Sequence, residues 1–174
     1  IRNQFAGLNV RPLRGNIQTR LRKLDEGQFD GIILAAAGLE RLGLRERIIQ
    51  YLSVDISIPS VGQGALGIEC LDTRQDIIDL LRGLDHEPTR ICVEGERSVS
   101  RLLGGSCTSP LGAYARISDN QLEMSAFVAV PNGSTCLRVV GRDEINKSGA
   151  MRLSQKLVNE LSALGARTLL DAIE

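Results

Sequence analysis

The sequence predicts an α/β segment organised on a parallel sheet, followed by a small α+β domain with a three-stranded antiparallel sheet. Three observations lead there. Asp30 to Ala35 (DGIILA) is a continuous apolar run, as a parallel strand buried on both faces requires, and a helical repeat precedes it. Three strand-like stretches between residues 111 and 141 are separated by Ser118-Asp119-Asn120 and Pro131-Asn132-Gly133-Ser134, both hairpin turn chemistry. Between the two regions the chain changes character around Asp85-His86-Glu87-Pro88. This divides the 174 residues into an α/β part (1–60), a hinge segment (61–85) and an α+β domain (86–174).

The first segment reads β-α-β-α. Leu8 to Leu13 suits a short strand, and Gly15-Asn16 is a turn with Asn16 as helix N-cap. Ile17, Leu21 and Leu24 recur at helical spacing until Gly27 stops the run. After the strand at 30–35, Leu39, Leu42 and Leu44 predict a short helix, with a right-handed crossover as the expected connection. A Pro/Gly-rich stretch from Ile58 to Cys70 follows, then an acidic helix over Thr73 to Leu84. Pro88 suits the first turn of a helix running through Ile91, Val99 and Leu103 to Gly104-Gly105. Strands are predicted over Leu111 to Ile117, Gln121 to Val130 and Thr135 to Gly141. A last helix spans about Gly149 to Leu164, with Leu153, Leu157, Val158 and Leu161 on one face.

Composition narrows the function classes. Aromatics make up 3% of the chain and there is no Trp, so base-stacking platforms for nucleic acid are not expected. No apolar run is long enough to cross a membrane, and no charged-then-apolar leader opens the chain. The first residue is Ile1 rather than Met, from which an upstream segment is expected. Net charge is zero but uneven: residues 1–50 carry nine basic and five acidic side chains, residues 51–100 four and nine. Eighteen of the 21 basic residues are Arg, which fits either codon bias or a need for planar guanidinium forks that grip carboxylate or phosphate. Cys70, Cys92, Cys107 and Cys136 lie far apart with no CxxC pair, and His86 is the single histidine. Reduced thiols are expected, and no metal site.

Three constellations bear on chemistry. Cys107 sits in Leu103-Gly104-Gly105-Ser106-Cys107-Thr108-Ser109-Pro110, just past a predicted helix end. On local sequence it reads first as an incidental cysteine in a turn, and otherwise as a reachable thiol beside free backbone N–H groups. Arg14 lies just before the first helix, Arg20 in its second turn, and Arg41 after the next strand. With the helix N-terminus they make either an anion site at a strand-end crevice or a set of solvated surface arginines. Gly62-Gln63-Gly64-Ala65-Leu66-Gly67 satisfies GxGxxG, but apolar chain follows it where the dinucleotide fingerprint needs a helix. A hinge or a ligand-contacting loop is the better reading.

Together these pieces resemble the hydroxymethylbilane synthase (porphobilinogen deaminase) family over essentially the whole chain. The family's cofactor-cysteine signature is matched by Glu96-Arg97-Ser98-Val99, then Leu103-Gly104-Gly105-Ser106-Cys107, then Pro110-Leu111-Gly112. Ser109 departs from the Val, Ile or Thr usual there, at a position that packs beside the cysteine without reacting. Leu13 to Asp25, Asp30 to Leu44 and Val61 to Glu69 match the family in order and spacing.

The resemblance implies a dipyrromethane cofactor joined to Cys107 by a thioether. Four porphobilinogen units would be condensed onto it, each losing ammonia, before hydroxymethylbilane is released for tetrapyrrole synthesis. It implies that Arg14 and Arg20 contact cofactor carboxylates, that Arg41 contacts substrate-side carboxylates, and that Gln63 lies at the hinge near the cleft. It also implies a periplasmic-binding-protein-like fold for residues 1–60, belonging to a second domain, and a return segment over 61–85 to a first domain absent from this chain. That domain holds the family's catalytic aspartate, so no catalytic residue is assigned here and this chain alone is expected to be inactive. The complete protein is expected to be a monomer in the cytoplasm, or in the plastid stroma if from a plant. Two other readings stay open: an anion-binding module, for which Arg14 and Arg20 suffice, and a structural remnant without catalysis.

Overall fold

A computed structural model describes residues 1–5, 7–105 and 109–172. Residues 86–172 form a single layered unit. Helix α4 (Glu87–Leu102) precedes three strands, β1 (Leu111–Ser118), β2 (Gln121–Ala129) and β3 (Cys136–Asp143), and α5 (Lys147–Ala163) and α6 (Ala166–Asp171) follow them. The strands pair antiparallel in sequence order. The β1–β2 turn places Asp119 and Asn120 at φ 50° and 58°, the pair of left-handed residues that a two-residue hairpin turn demands.

Side-chain alternation sorts this sheet into two faces. Ala113, Ala115, Leu122, Met124, Ala126, Val128 and Val139 are buried, together with Val99 of α4 and Leu153, Leu157, Val158 and Leu161 of α5. At Gly95 the two helices come close, because a Cβ there would lie 2.6 Å from the Met124 methyl and 3.4 Å from the Ala150 Cβ. Ser154 Oγ donates to the Ala150 carbonyl at 2.6 Å and lies 2.9 Å from that of Gly95, so the buried hydroxyl is satisfied at the crossing.

The opposite face is partly covered by residues 53–60. Arg138 of β3 donates to the Asp55 carbonyl at 2.8 Å. Pro59 O lies where a side chain on Gly112 would start, 2.7 Å from an ideal Cβ. On the same face Glu123 accepts from Arg116 Nε and Arg142 Nε, each at 2.9 Å, forming a cross-strand charge row.

Residues 1–60 differ from the sequence expectation. Helix α1 (Ile17–Asp25) and the short α2 (Ala36–Arg41) form, and a 3₁₀ turn follows at Arg45–Arg47. Asn16 caps α1 by accepting the Thr19 N–H at 2.8 Å. Neither Leu8 to Leu13 nor Asp30 to Ala35 is a strand, and the parallel sheet is not seen among the described residues. The physical reason is that a strand exists only through its ladder partners, and no described segment hydrogen-bonds beside these two. Ile33, expected to be buried on such a sheet, is 61% exposed.

The hinge segment carries the acidic helix at its far end, α3 (Gln75–Leu81), shorter than expected because residues 82–84 tighten into a 3₁₀ turn. It leaves Leu66, Ile68, Leu71, Leu80 and Leu84 exposed. The sequence also missed α6: Gly165, at φ 95°, ends α5 and starts a second helix too short to show a period. No described helix is long and apolar enough to cross a membrane.

Candidate functional site

The arginine constellation is built by α1 and α2. Gly38 of α2 faces Ile17 of α1 so closely that a Cβ on it would sit 2.8 Å from the isoleucine methyl. Leu21 and Leu39 are the buried residues of the two helices. This packing brings the helix start carrying Arg14 and Arg20 beside the short helix that ends on Arg41. Gly15 adopts φ 121°, a conformation for which glycine is suited, and Arg20 Nε donates to its carbonyl at 2.7 Å, fixing the guanidinium over the turn. Arg14 and Arg41 are exposed and Arg20 half-buried.

Charge pairing separates these three from many of the chain's other arginines. Arg47 pairs with Asp25, Arg74 with Asp76, Arg90 with Asp85, Arg116 and Arg142 with Glu123, and Arg152 with Asp143. Arg14, Arg20 and Arg41 have no carboxylate partner among the described residues, a state shared by Arg2, Arg11, Arg45, Arg97, Arg101 and Arg167. Guanidinium groups without an internal acid are suited to carboxylates brought by a ligand. No group of three or more His, Cys, Asp or Glu that could hold a metal ion occurs among the described residues.

Gln63 stands elsewhere, on the loop that opens the hinge segment. It lines a cavity of about 400 Å³ with Gly64 and Ala65, the start of α4 (Pro88, Thr89, Cys92) and β1 (Tyr114, Arg116). Gly62 and Gly64, at φ 70° and 84°, give the loop its shape. Cys107 lies outside the described residues. The chain on either side of it is described: α4 ends with Gly104 at φ 73°, and the Pro110 carbonyl accepts the Ala129 N–H at 2.9 Å as β1 begins.

Sequence reasoning passed over Glu96 except as part of a signature. It is 5% exposed, and its two oxygens accept the Gly62 N–H at 2.7 Å and the Ala115 N–H at 2.8 Å. Burial pushes its carboxyl above the usual Glu range, against the opposing pull of the Ala115 and Gly62 N–H groups and of Arg97. Burial, and secondarily the Glu96 charge, raises the Cys92 thiol in the same cavity. A signal for Glu96 was present: Cys92, Glu96, Val99 and Leu103 follow helical spacing, so a carboxylate falls on the buried stripe of α4.

Comparison with known proteins decides the family. Residues 1–79 match the model described as porphobilinogen deaminase, dipyromethane cofactor binding domain, and residues 90–163 match porphobilinogen deaminase, C-terminal domain. The chain belongs to the porphobilinogen deaminase family. The porphobilinogen deaminase of Nitrosomonas europaea is 49% identical over 175 residues, covering 99% of this chain and 56% of the relative. That of Thiobacillus denitrificans is 51% identical over 173 residues, covering 99% and 56%. That of Laribacter hongkongensis is 48% identical over 174 residues, covering 100% and 56%. The chain thus spans little more than half the length of the porphobilinogen deaminases it matches. The antiparallel sheet, α5 and most of α4 fall within the stretch matching the C-terminal domain, and α1 and α2 within that matching the cofactor-binding domain.

Proposed function

We propose that this chain is the cofactor-holding and C-terminal part of a hydroxymethylbilane synthase, with Cys107 bearing the dipyrromethane. When bound, that group supplies the free pyrrole end onto which four porphobilinogen units are condensed with loss of ammonia. The observation that carries the reading is the set of arginines without internal acids just before α1, within it and at the end of α2, in the region matching the cofactor-binding domain. Each pyrrole of cofactor and growing chain bears an acetate and a propionate, and bidentate guanidinium groups are the side chains matched to them. Arg14 and Arg20, beside the α1 N-terminus, orient the cofactor's carboxylates. Arg41 serves the incoming substrate's carboxylates, and Gln63 borders the cleft at the hinge.

The unpaired stretches at 8–13 and 30–35 become strands of the parallel, periplasmic-binding-protein-like sheet once the remainder of that domain lies beside them. The exposed leucines of 61–85 pack on the family's first domain, which carries the catalytic aspartate. Peptide mass mapping of the protein at full family length tests the attachment. Trypsin cleavage at Arg101 and Arg116 should yield one peptide bearing a dipyrromethane adduct on Cys107. An adduct on Cys70, Cys92 or Cys136 would overturn the assignment, and an unmodified protein that binds small dicarboxylates would favour an anion-binding module.

A further inference from the structure

We propose that Glu96 is a positioning residue for Gln63, clipping the Gly62 turn to strand β1. The inference rests on the reading of Gln63 as a residue bordering the cleft. One carboxylate spans two elements: Oε2 takes the Gly62 N–H at 2.7 Å, and Oε1 takes the Ala115 N–H at 2.8 Å. The loop's own backbone bonds are local, Gln63 N–H to Ser60 O at 3.0 Å and Ala65 N–H to Gly62 O at 3.2 Å. They shape the turn without deciding where it stands against α4 and β1. Val61 beside it packs against the core, but at Gly62 itself apolar contact is sparse, the nearest atom to an ideal Cβ being a Val93 methyl at 3.9 Å.

The chemistry of the clip calls for a carboxylate of this length. Two inward-pointing N–H groups need two acceptors, and an ionised Glu is acceptor-only at both oxygens. A Gln offers one acceptor and sets its NH₂ against the other donor. An Asp, one methylene shorter, does not reach both. Burying a carboxylate at 5% exposure costs solvation that an apolar residue would avoid, and what this one returns is a fixed geometry. Gln63, the next residue along, is thereby held on the wall of the 400 Å³ cavity.

The test uses the protein at full family length as Glu96→Gln, Gln63→Ala and the double variant. Amide hydrogen exchange at Gly62 and Ala115 should quicken about tenfold or more in Glu96→Gln, the loss of a charge-assisted bond, while Val128 keeps its protection. Porphobilinogen turnover should fall about tenfold in kcat/KM for Glu96→Gln. In the Gln63→Ala background the same substitution should change it by less than about twofold, because the residue it acts through is gone. Equal losses in both backgrounds, or unchanged exchange at Gly62, would overturn the proposal. Should Glu96→Gln fail to fold, Glu96→Asp, which keeps the charge and loses the span, is measured in its place with the same two criteria. If the parent protein does not consume porphobilinogen, the functional reading fails by itself, and the exchange measurement still decides whether the clip exists.

Discussion

Gly112→Ala adds one methyl group at the place where residues 53–60 cross the sheet. An ideal Cβ there would stand 2.7 Å from Pro59 O and against the edge of the Phe127 ring. The first neighbour is backbone and the second a stiff aromatic, so neither yields by a rotamer change. Overpacking of this kind costs about 1–3 kcal/mol. Replacing a strand glycine returns part of that, less than about 1 kcal/mol on the scale of strand preferences. The net expectation is a loss of about 1–2 kcal/mol. Urea unfolding of the protein at full family length measures it. The strain can also be relieved by lifting residues 53–60 off the sheet, so protease cleavage within that segment is followed in parallel. A Gly112→Ala protein as stable as its parent and no easier to cleave there would show that the segment does not lie on the sheet.

Arg14→Leu or Arg20→Leu should impair cofactor assembly, and Arg41→Leu chiefly chain elongation, each by tenfold or more, taking about 1.5–3 kcal/mol for a lost charge-assisted contact. Arg74→Leu and Arg152→Leu, paired at the surface, are the controls, and equal negligible effects at all five would make the three arginines ordinary surface charges. Arg142 and Arg116 hold the Glu123 carboxyl below the usual Glu range. A lowered folded value means that its stabilisation is present above the ordinary Glu range and is lost as pH falls through the shifted one. Acid unfolding should therefore begin at higher pH in the Arg116→Leu, Arg142→Leu double variant than in the parent. Residues 1–174 alone, assayed with porphobilinogen, should form no uroporphyrin after oxidation, because electrostatic stabilisation of the reacting pyrroles is assigned to a first domain outside them. Turnover by the chain alone would place the catalytic acid within it.

The elements legible in the sequence are those whose partners lie nearby along the chain. The α1 cap at Asn16, the start of α4 at Pro88, and the three strands with their turns are local or near-local events. The structure has them within one or two residues of expectation. The strand at 30–35 was read from hydrophobicity alone, which says that a segment wants burial but cannot supply the neighbours that pair with it. Among site residues, the placement of Arg14 just before α1 and of Arg20 within it could be anticipated, since charge and the Asn16 cap sit in one short stretch. Glu96 was not, because its partners Gly62 and Ala115 lie 34 and 19 residues away and are backbone groups, which leave no mark in side-chain spacing.

The order of β1, β2 and β3 in the sheet has a consequence for how the domain is made. Each strand pairs with its sequence neighbour, across a two-residue turn between β1 and β2 and a short loop between β2 and β3. Such hairpins close with little loss of chain entropy and form in about 1–10 μs as isolated units. Helices α4 and α5 then dock from directly before and after the sheet, and their contact with each other, Ser154 on Gly95, is the long-range closure of the unit, spanning 59 residues. The segment between α4 and β1 that contains Cys107 is therefore tethered at both ends to one unit, whose strands and helices all come from residues 87–171.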